Sequence, residues 1–340
     1  MKALCLGGCG FVGRRFCRRL LNDGWEVDVI DDLSTGLPLN KWPAFLQPTT
    51  EQRERLHFRY DDARASFRGG FLQPSAYDLV IHLAAVVGGR LKIEGDPLAV
   101  ATDLSIDADF FNWLTRDAWI EPGRSRKVIY FSSSAVYPIE SQQRDSHCAL
   151  SEGMVKLGGT RLGMPDMTYG WSKLTGEYLA KHAVEKYGVD VAIYRPFSGY
   201  GADQSLDYPF PSIIKRVLNA MEGKNDIISV WGSGDQVRDF IYIEDVVDCV
   251  MATYQQLAPG EALNIGSGEG VSFYQLVYTA CKVLGHDVPV IHDPDKPEGV
   301  FYRVADTHKL SQFDWKPSVS LEEGIERVAK YLVDSGQAKV

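Results

Sequence analysis

No apolar run in the chain reaches the ~18 residues of a membrane span, so no transmembrane helix is expected. The first residues, Met1-Lys2-Ala3-Leu4-Cys5-Leu6, break into glycines and arginines with no small-residue cleavage site. That reads as a buried strand, not a secretion signal. Cysteine is scarce and unpatterned: Cys5, Cys9, Cys17, Cys148, Cys249 and Cys281 form no C-x-x-C pair. A disulfide framework or thiolate metal centre is therefore not expected, and reduced core thiols in the cytoplasm are. Positive charge is in deficit, with 36 Lys and Arg against 45 Asp and Glu, net −9. This weighs against nucleic acid or an anionic membrane as a general partner. Internal repeats and low-complexity tracts are absent as well. What is present is a globular composition, 45% apolar and 24% charged over 340 residues, enough for one large α/β domain or two domains.

The first third alternates short apolar runs with helix-like stretches. Strands are expected at Lys2 to Gly7, Trp25 to Asp31, Tyr77 to Ala85 and Lys127 to Ser132, with helices at Gly10 to Asn22 and Asp96 to Trp119. Continuous apolar strands between helices predict a doubly wound parallel sheet covered on both faces. A helix from Tyr169 to Tyr187 ends at Gly188, where left-handed geometry is cheap, and Val189 to Arg195 is another buried strand. After Tyr200, Pro209, Pro211, Gly232 and Gly234 punctuate shorter segments, which suggests a smaller lobe over the sheet. The last helix, from Ser320 to Leu332, opens with a capping box of Ser320 and Glu323. The polar stretch 139–167 reads as a surface loop near the site.

Gly7, Gly10 and Gly13 follow a predicted strand and open a predicted helix. This is the context a dinucleotide-binding turn needs. Gly7 permits the tight turn, Gly10 lets the backbone approach a pyrophosphate, and Gly13 lets helix pack on strand. The anion then sits on the helix N-terminus. About twenty residues on, Asp31 and Asp32 end a strand, placed to bond the adenosine ribose and repel a 2′-phosphate, which favours NAD. Arg14 and Arg15 argue the other way, as groups able to meet a phosphate. Tyr169 and Lys173 lie four apart on one helix face. A nearby ammonium stabilises phenolate and brings a phenol toward use as a base. Ser132, Ser133 and Ser134 end an apolar run at the sheet edge, where a hydroxyl can donate to a developing oxyanion.

The glycine turn, the acid, His82-Leu83-Ala84-Ala85, Ser133-Ser134-Ala135-Val136-Tyr137 and the Tyr169/Lys173 pair occur in this order. Together they resemble the extended short-chain dehydrogenase/reductase family, in its nucleotide-sugar epimerase and dehydratase branch. Trp231 to Phe240, Asn264 to Gly268 and Lys296 to Gly299 are similar to later family segments. The resemblance implies a Rossmann-like fold, with residues 1–195 binding NAD and carrying the catalytic groups. Residues 196–340 would form mainly a substrate-binding lobe, with some segments returning to the first domain. It implies that Gly7, Gly10, Phe11, Val12 and Gly13 cradle the NAD pyrophosphate, that Asp31 and Asp32 meet the ribose, and that Asp62 reaches the adenine. Leu83, Ala84 and Ala85 would line the cofactor. Ser133 and Tyr169 would be catalytic, with Lys173 on the nicotinamide ribose. Ser133, Ser134, Ser198, Arg238, Lys296 and Arg303 would bind a nucleotide-diphosphate sugar. A homodimer through the Tyr169 helix and the Asp96 to Trp119 helix is also implied.

Departures from the branch narrow the chemistry. Ser134 and Ala135 stand where 4,6-dehydratases carry an Asp-Glu pair. Val86 to Gly89 resemble GDP-fucose synthase and GDP-mannose 3,5-epimerase, yet Ala135 replaces their cysteine, and Asp203 stands near the place of the synthase histidine. Ser105 sits where relatives often have Asn, as does Ser198. His147 and Cys148 offer a different acid or base if they are not merely surface residues. The minimal set of NAD, Tyr, Lys and Ser points to C4 epimerisation. A GDP-sugar 3,5-epimerase or 4-keto reductase is the alternative, and a non-catalytic NAD-sensing protein the third reading.

Overall fold

The computed structural model describes residues 1–116, 126–159, 161–223 and 227–338. Its main sheet has seven parallel strands: β1 (Lys2–Leu6), β2 (Glu26–Asp31), β3 (Leu56–Tyr60), β4 (Leu79–His82), β5 (Lys127–Phe131), β6 (Asp190–Pro196) and β7 (Ala262–Ile265). Their spatial order is β7-β6-β5-β4-β1-β2-β3. The order reverses between β1 and β4, the switch point where doubly wound sheets open a crevice. The central strands β1, β4 and β5 are nearly continuous apolar runs because both faces are covered, whereas the edge strand β3 is largely exposed. Ala3 and Cys5 face one core with Phe16 and Val246, while Leu4 and Leu6 face the other with Phe110 and Ala180.

The longer helices are α1 (Phe11–Asn22), α2 (Thr102–Thr115), α3 (Met167–Tyr187), α4 (Pro209–Met221), α5 (Ile243–Thr253), α6 (Phe273–Leu284) and α7 (Leu321–Asp334). The helix expected from Asp96 to Trp119 is divided. A short turn, Pro97–Val100, is capped by the Asp96 carboxylate, which accepts the Ala99 N–H at 3.1 Å. α2 then starts after Ala101, and the expected end at Trp119 lies outside the described residues. Helix α3 ends as expected, with Gly188 at φ +67°. The capping box at α7 is half made: Ser320 accepts the Glu323 N–H at 3.2 Å, but the Glu323 carboxylate pairs with Arg327.

Beyond Tyr200 a second core forms around α4, α6 and α7, with the parallel pair Ile228–Trp231 and Val290–Asp293 at its edge. The chain is not cleanly divided in space. β7 extends the main sheet beside β6, and α5 packs against α1. Five cysteines are buried, only Cys148 is exposed, and none of the six is bonded to another. No helix among the described residues is long and apolar enough to cross a membrane.

Candidate active site

A cavity of about 730 Å³ opens at the carboxyl ends of β1 and β4. Gly7, Gly10, Phe11, Val12 and Gly13 line it, with Asp31, Asp32, Asp62, Leu83, Ala84, Ala85, Ser133, Tyr169 and Lys173. Gly7 has φ +76°, and a Cβ there would lie 2.8 Å from the Ala84 nitrogen. Gly10 caps α1 without a side-chain hydrogen bond and no acid stands in the first turn. The first N–H groups of α1 therefore have no intrahelical acceptor and face the cavity, as an anion site requires. At the far end, Asp31 accepts the Cys9 N–H at 2.9 Å and the Leu33 N–H at 2.8 Å. Burial pushes its carboxyl up against the pull of these two donors.

The donor set, the glycine cradle and the buried acid fit NAD. Arg14 and Arg15 do not form a 2′-phosphate site. Both are 3% exposed and both pair with Asp203, at 2.7 and 2.5 Å; Arg15 also pairs with Glu244 at 2.8 Å. Asp203 is thereby locked and its carboxyl held down, although burial opposes this. It is not a free acid. Asp62 lines the cavity, but its carboxylate is held by Arg64 at 2.6 Å. Arg64 itself joins the lining, a residue the sequence did not single out.

The three serines have three different fates. Ser132 donates to Glu177 at 2.6 Å in the core. Ser133 lines the cavity with its hydroxyl near enough to Tyr169 to favour the phenolate, while its own oxygen accepts the Ala135 N–H at 3.1 Å. Ser134 is buried in the short turn that follows and does not line the cavity. That turn seats α3: Asp166 donates its N–H to the Ala135 carbonyl at 2.8 Å, and a Cβ at Gly170 would strike the same carbonyl oxygen. Lys173 lies 5.8 Å above the Tyr169 ring centre and 5.5 Å above that of Tyr130. Burial raises the Tyr169 phenol above its ordinary value; Lys173 and Ser133 pull it down, and Asp103 and Asp107 push it up. The expected activation by Lys173 is present but outweighed by desolvation, so further positive charge is needed to complete it. Tyr208, missed in the sequence, lines the same cavity close enough to Tyr169 to feel its charge.

Ser198, Arg238, Lys296 and Arg303 do not line this cavity. Ser198 is half-buried in a short strand beside Phe240, and Lys296 is exposed. Arg303 donates to Gln142 at 2.7 Å and to Asp166 at 2.8 Å. Arg90, another residue missed in the sequence, also holds Asp166, at 2.8 Å. Among the described residues Arg238 donates only to its own neighbour, the Val237 carbonyl, and burial with Arg303 and Arg90 nearby lowers its guanidinium to about 9. These three arginines around one carboxylate form a cationic cluster suited to a polyanion. The 139–167 stretch supplies Gln142 and Asp166 to that cluster, while His147 and Cys148 are exposed and outside the cavity. Ser105 accepts from Arg64 at 3.2 Å and does not line the cavity.

A GDP-L-fucose synthase of Sinorhizobium fredii is 28% identical over 338 residues, covering 97% of this chain and 94% of its own. A putative UDP-glucose 4-epimerase of Methanocaldococcus jannaschii is 27% identical, covering 98% and 99%. Among solved structures, a UDP-glucuronic acid 4-epimerase of Bacillus cereus, in complex with UDP-glucuronic acid and NAD, superposes with a TM-score of 0.75 at 26% identity, covering 98% and 100%. The model of the NAD dependent epimerase/dehydratase family matches residues 3–266. With the glycine cradle, the Tyr169/Lys173 pair and this match over most of its length, the chain belongs to the NAD dependent epimerase/dehydratase family.

Proposed function

We propose that the protein is a nucleotide-sugar 4-epimerase acting through a transient 4-keto sugar. The observation that carries this reading is the meeting of Ser133, Tyr169 and Lys173 at one wall of the cavity, without a dehydratase acid pair. NAD supplies the hydride acceptor and donor at this site. Tyr169 takes the proton of the sugar 4-hydroxyl, and Ser133 donates to that oxygen as it becomes a carbonyl. Lys173 holds positive charge against the phenol and is placed to meet the nicotinamide ribose. After the sugar has turned, the hydride would return to the opposite face of C4 and the same phenol gives its proton back to the 4-oxygen, so no net redox occurs. Arg238, Arg303 and Arg90 are the groups to receive the diphosphate, and their excess over Asp166 supports that role.

The GDP-L-fucose synthase relatives favour a second reading, a GDP-sugar 3,5-epimerase or 4-keto reductase. Against it, Ala135 offers no proton-transferring side chain, and Asp203 is locked by two arginines. A panel of UDP-, GDP- and dTDP-sugars separates the readings: epimerase activity gives C4 inversion with neither NADPH consumption nor deuterium uptake from D2O. Tyr169→Phe should retain NAD binding and lose turnover by at least ~10²–10⁴-fold, the usual contribution of general base catalysis. Near-normal turnover by this variant contradicts the assignment.

A further inference from the structure

Behind the catalytic pair lies a buried ionisable group that the reaction as described does not use. Asp103 and Asp107 sit one turn apart on α2, each 1% exposed. Asp107 is fully engaged: Oδ1 meets His82 Nε2 at 2.9 Å and Oδ2 accepts the Tyr130 hydroxyl at 2.5 Å. Asp103 is not. Its Oδ1 accepts the Val86 N–H at 2.6 Å, and its Oδ2 is buried without a hydrogen-bond partner. Val86 lines the cavity next to Ala84 and Ala85. The carboxylate that anchors this wall therefore also places unneutralised charge beside it.

The groups facing Asp103 come from several elements: Lys173 and Tyr169 on α3, Asp107 on its own helix, Tyr130 on β5 and the Val86 N–H at the cavity wall. His82 on β4 meets Asp107; burial pushes its imidazole down against the pull of that carboxylate, and burial holds the Tyr130 phenol well above its ordinary value. Lys173 is thus one cation against two carboxylates, in a setting where charges are weakly screened. Reduction of a nicotinamide ring removes one positive charge. A fixed negative charge nearby therefore binds the oxidised form better than the reduced form.

We propose that Asp103 is a counter-charge for the oxidised nicotinamide, a positioning residue that biases the resident cofactor toward NAD+ over NADH. It acts through the field at Lys173 and through the Val86 wall, touching no substrate. The inference rests on the cavity being the NAD site and on the Tyr169/Lys173 reading, and is independent of which sugar is turned over. Burial raises the Asp103 carboxyl to about 6, against the pull of Lys173 and the Val86 N–H, so the charge is present at pH 8 and largely lost by pH 5.5.

The test is equilibrium titration of the purified chain with NAD+ and separately with NADH, in the absence of sugar. At pH 8, Asp103→Asn keeps an acceptor for Val86 and should reduce the preference for NAD+ on the order of tenfold. In the unsubstituted protein the same preference should fall between pH 8 and pH 5.5, whereas in Asp103→Asn it should be flat. This second arm needs no variant and decides the matter if the variant fails to fold. A purely structural role would weaken both nucleotides alike and leave their ratio unchanged; that result, or a ratio independent of pH in the unsubstituted protein, overturns the proposal. Binding of neither nucleotide overturns the cofactor site itself, whereas sugar turnover other than at C4 with the NAD+ preference intact overturns only the epimerase reading.

Discussion

Asp166 shows how much one side chain carries at the residue scale. It caps α3, the helix of Tyr169 and Lys173, yet its carboxylate turns away from the helix to take Arg90 and Arg303. Burial alone would raise its carboxyl, but Arg303 and Arg90 outweigh burial and hold it below the ordinary value. A lowered folded pKa means that the unfolded chain binds the proton more readily. The stabilisation is then complete above the unfolded carboxylate value of about 4 and is lost as pH falls through the lower folded value. Asp166→Asn should therefore cost about 2 kcal/mol at pH 7, since it strips two partly buried guanidinium groups of their anion. The difference should shrink toward pH 3. Urea unfolding at both pH values measures this, and equal stabilities at pH 7 contradict it. Residue identities at the site were readable where the signal is local. Gly7, Gly10, Gly13 and Asp31 share one strand–turn–helix–strand unit, so their joint placement followed from spacing. The locking of Asp203 by Arg14 and Arg15 joins residues almost two hundred apart in sequence, and no periodicity announces such a contact.

Element by element, the parallel strands were legible because burial on both faces writes itself as an uninterrupted apolar run. β3 was not, since its exposed outer positions His57, Arg59 and Tyr60 dilute the run. β7 could not be singled out among the segments of 196–340 expected to return to the first domain, because the chain leaves the main sheet after β6 and comes back only some sixty-five residues later. Helix α3 was recognised by its end, yet its close approach to the sheet is a tertiary matter. A Cβ at Gly176 would strike the Tyr130 hydroxyl and the Asp107 carboxylate. Gly176→Ala should accordingly destabilise the protein by about 1–3 kcal/mol, in spite of alanine's better helix propensity, because overpacking outweighs propensity here. A lowered thermal midpoint is the expected readout; an unchanged or raised one means that α3 can slide without cost.

On the scale of the whole molecule, the sheet gathers the candidate cofactor and catalytic groups at one edge, and Arg238 and Arg303 from the later part of the chain meet Arg90 and Asp166 from the earlier part in the cluster proposed to hold the diphosphate. The outer face of α2 and α3, with the turn before them, leaves Leu98, Leu104, Trp171 and Tyr178 exposed at 82, 38, 44 and 47%. Such a cluster of large apolar side chains supports the proposed homodimer through these helices. Light scattering after size exclusion should give twice the 37.9 kDa chain mass, and Trp171→Glu should yield monomer. A monomer from the unsubstituted chain contradicts this arrangement. The central claim is that Tyr169 takes the proton of the sugar 4-hydroxyl while the C4 hydrogen leaves as hydride and comes back without meeting water. Its most direct test is turnover, in ordinary water, of a nucleotide sugar deuterated at C4, read by mass spectrometry and NMR. The account predicts an epimer that keeps its deuterium at C4, with no net NADH formed. Deuterium lost to solvent, or an unlabelled C4 in the product, would contradict it.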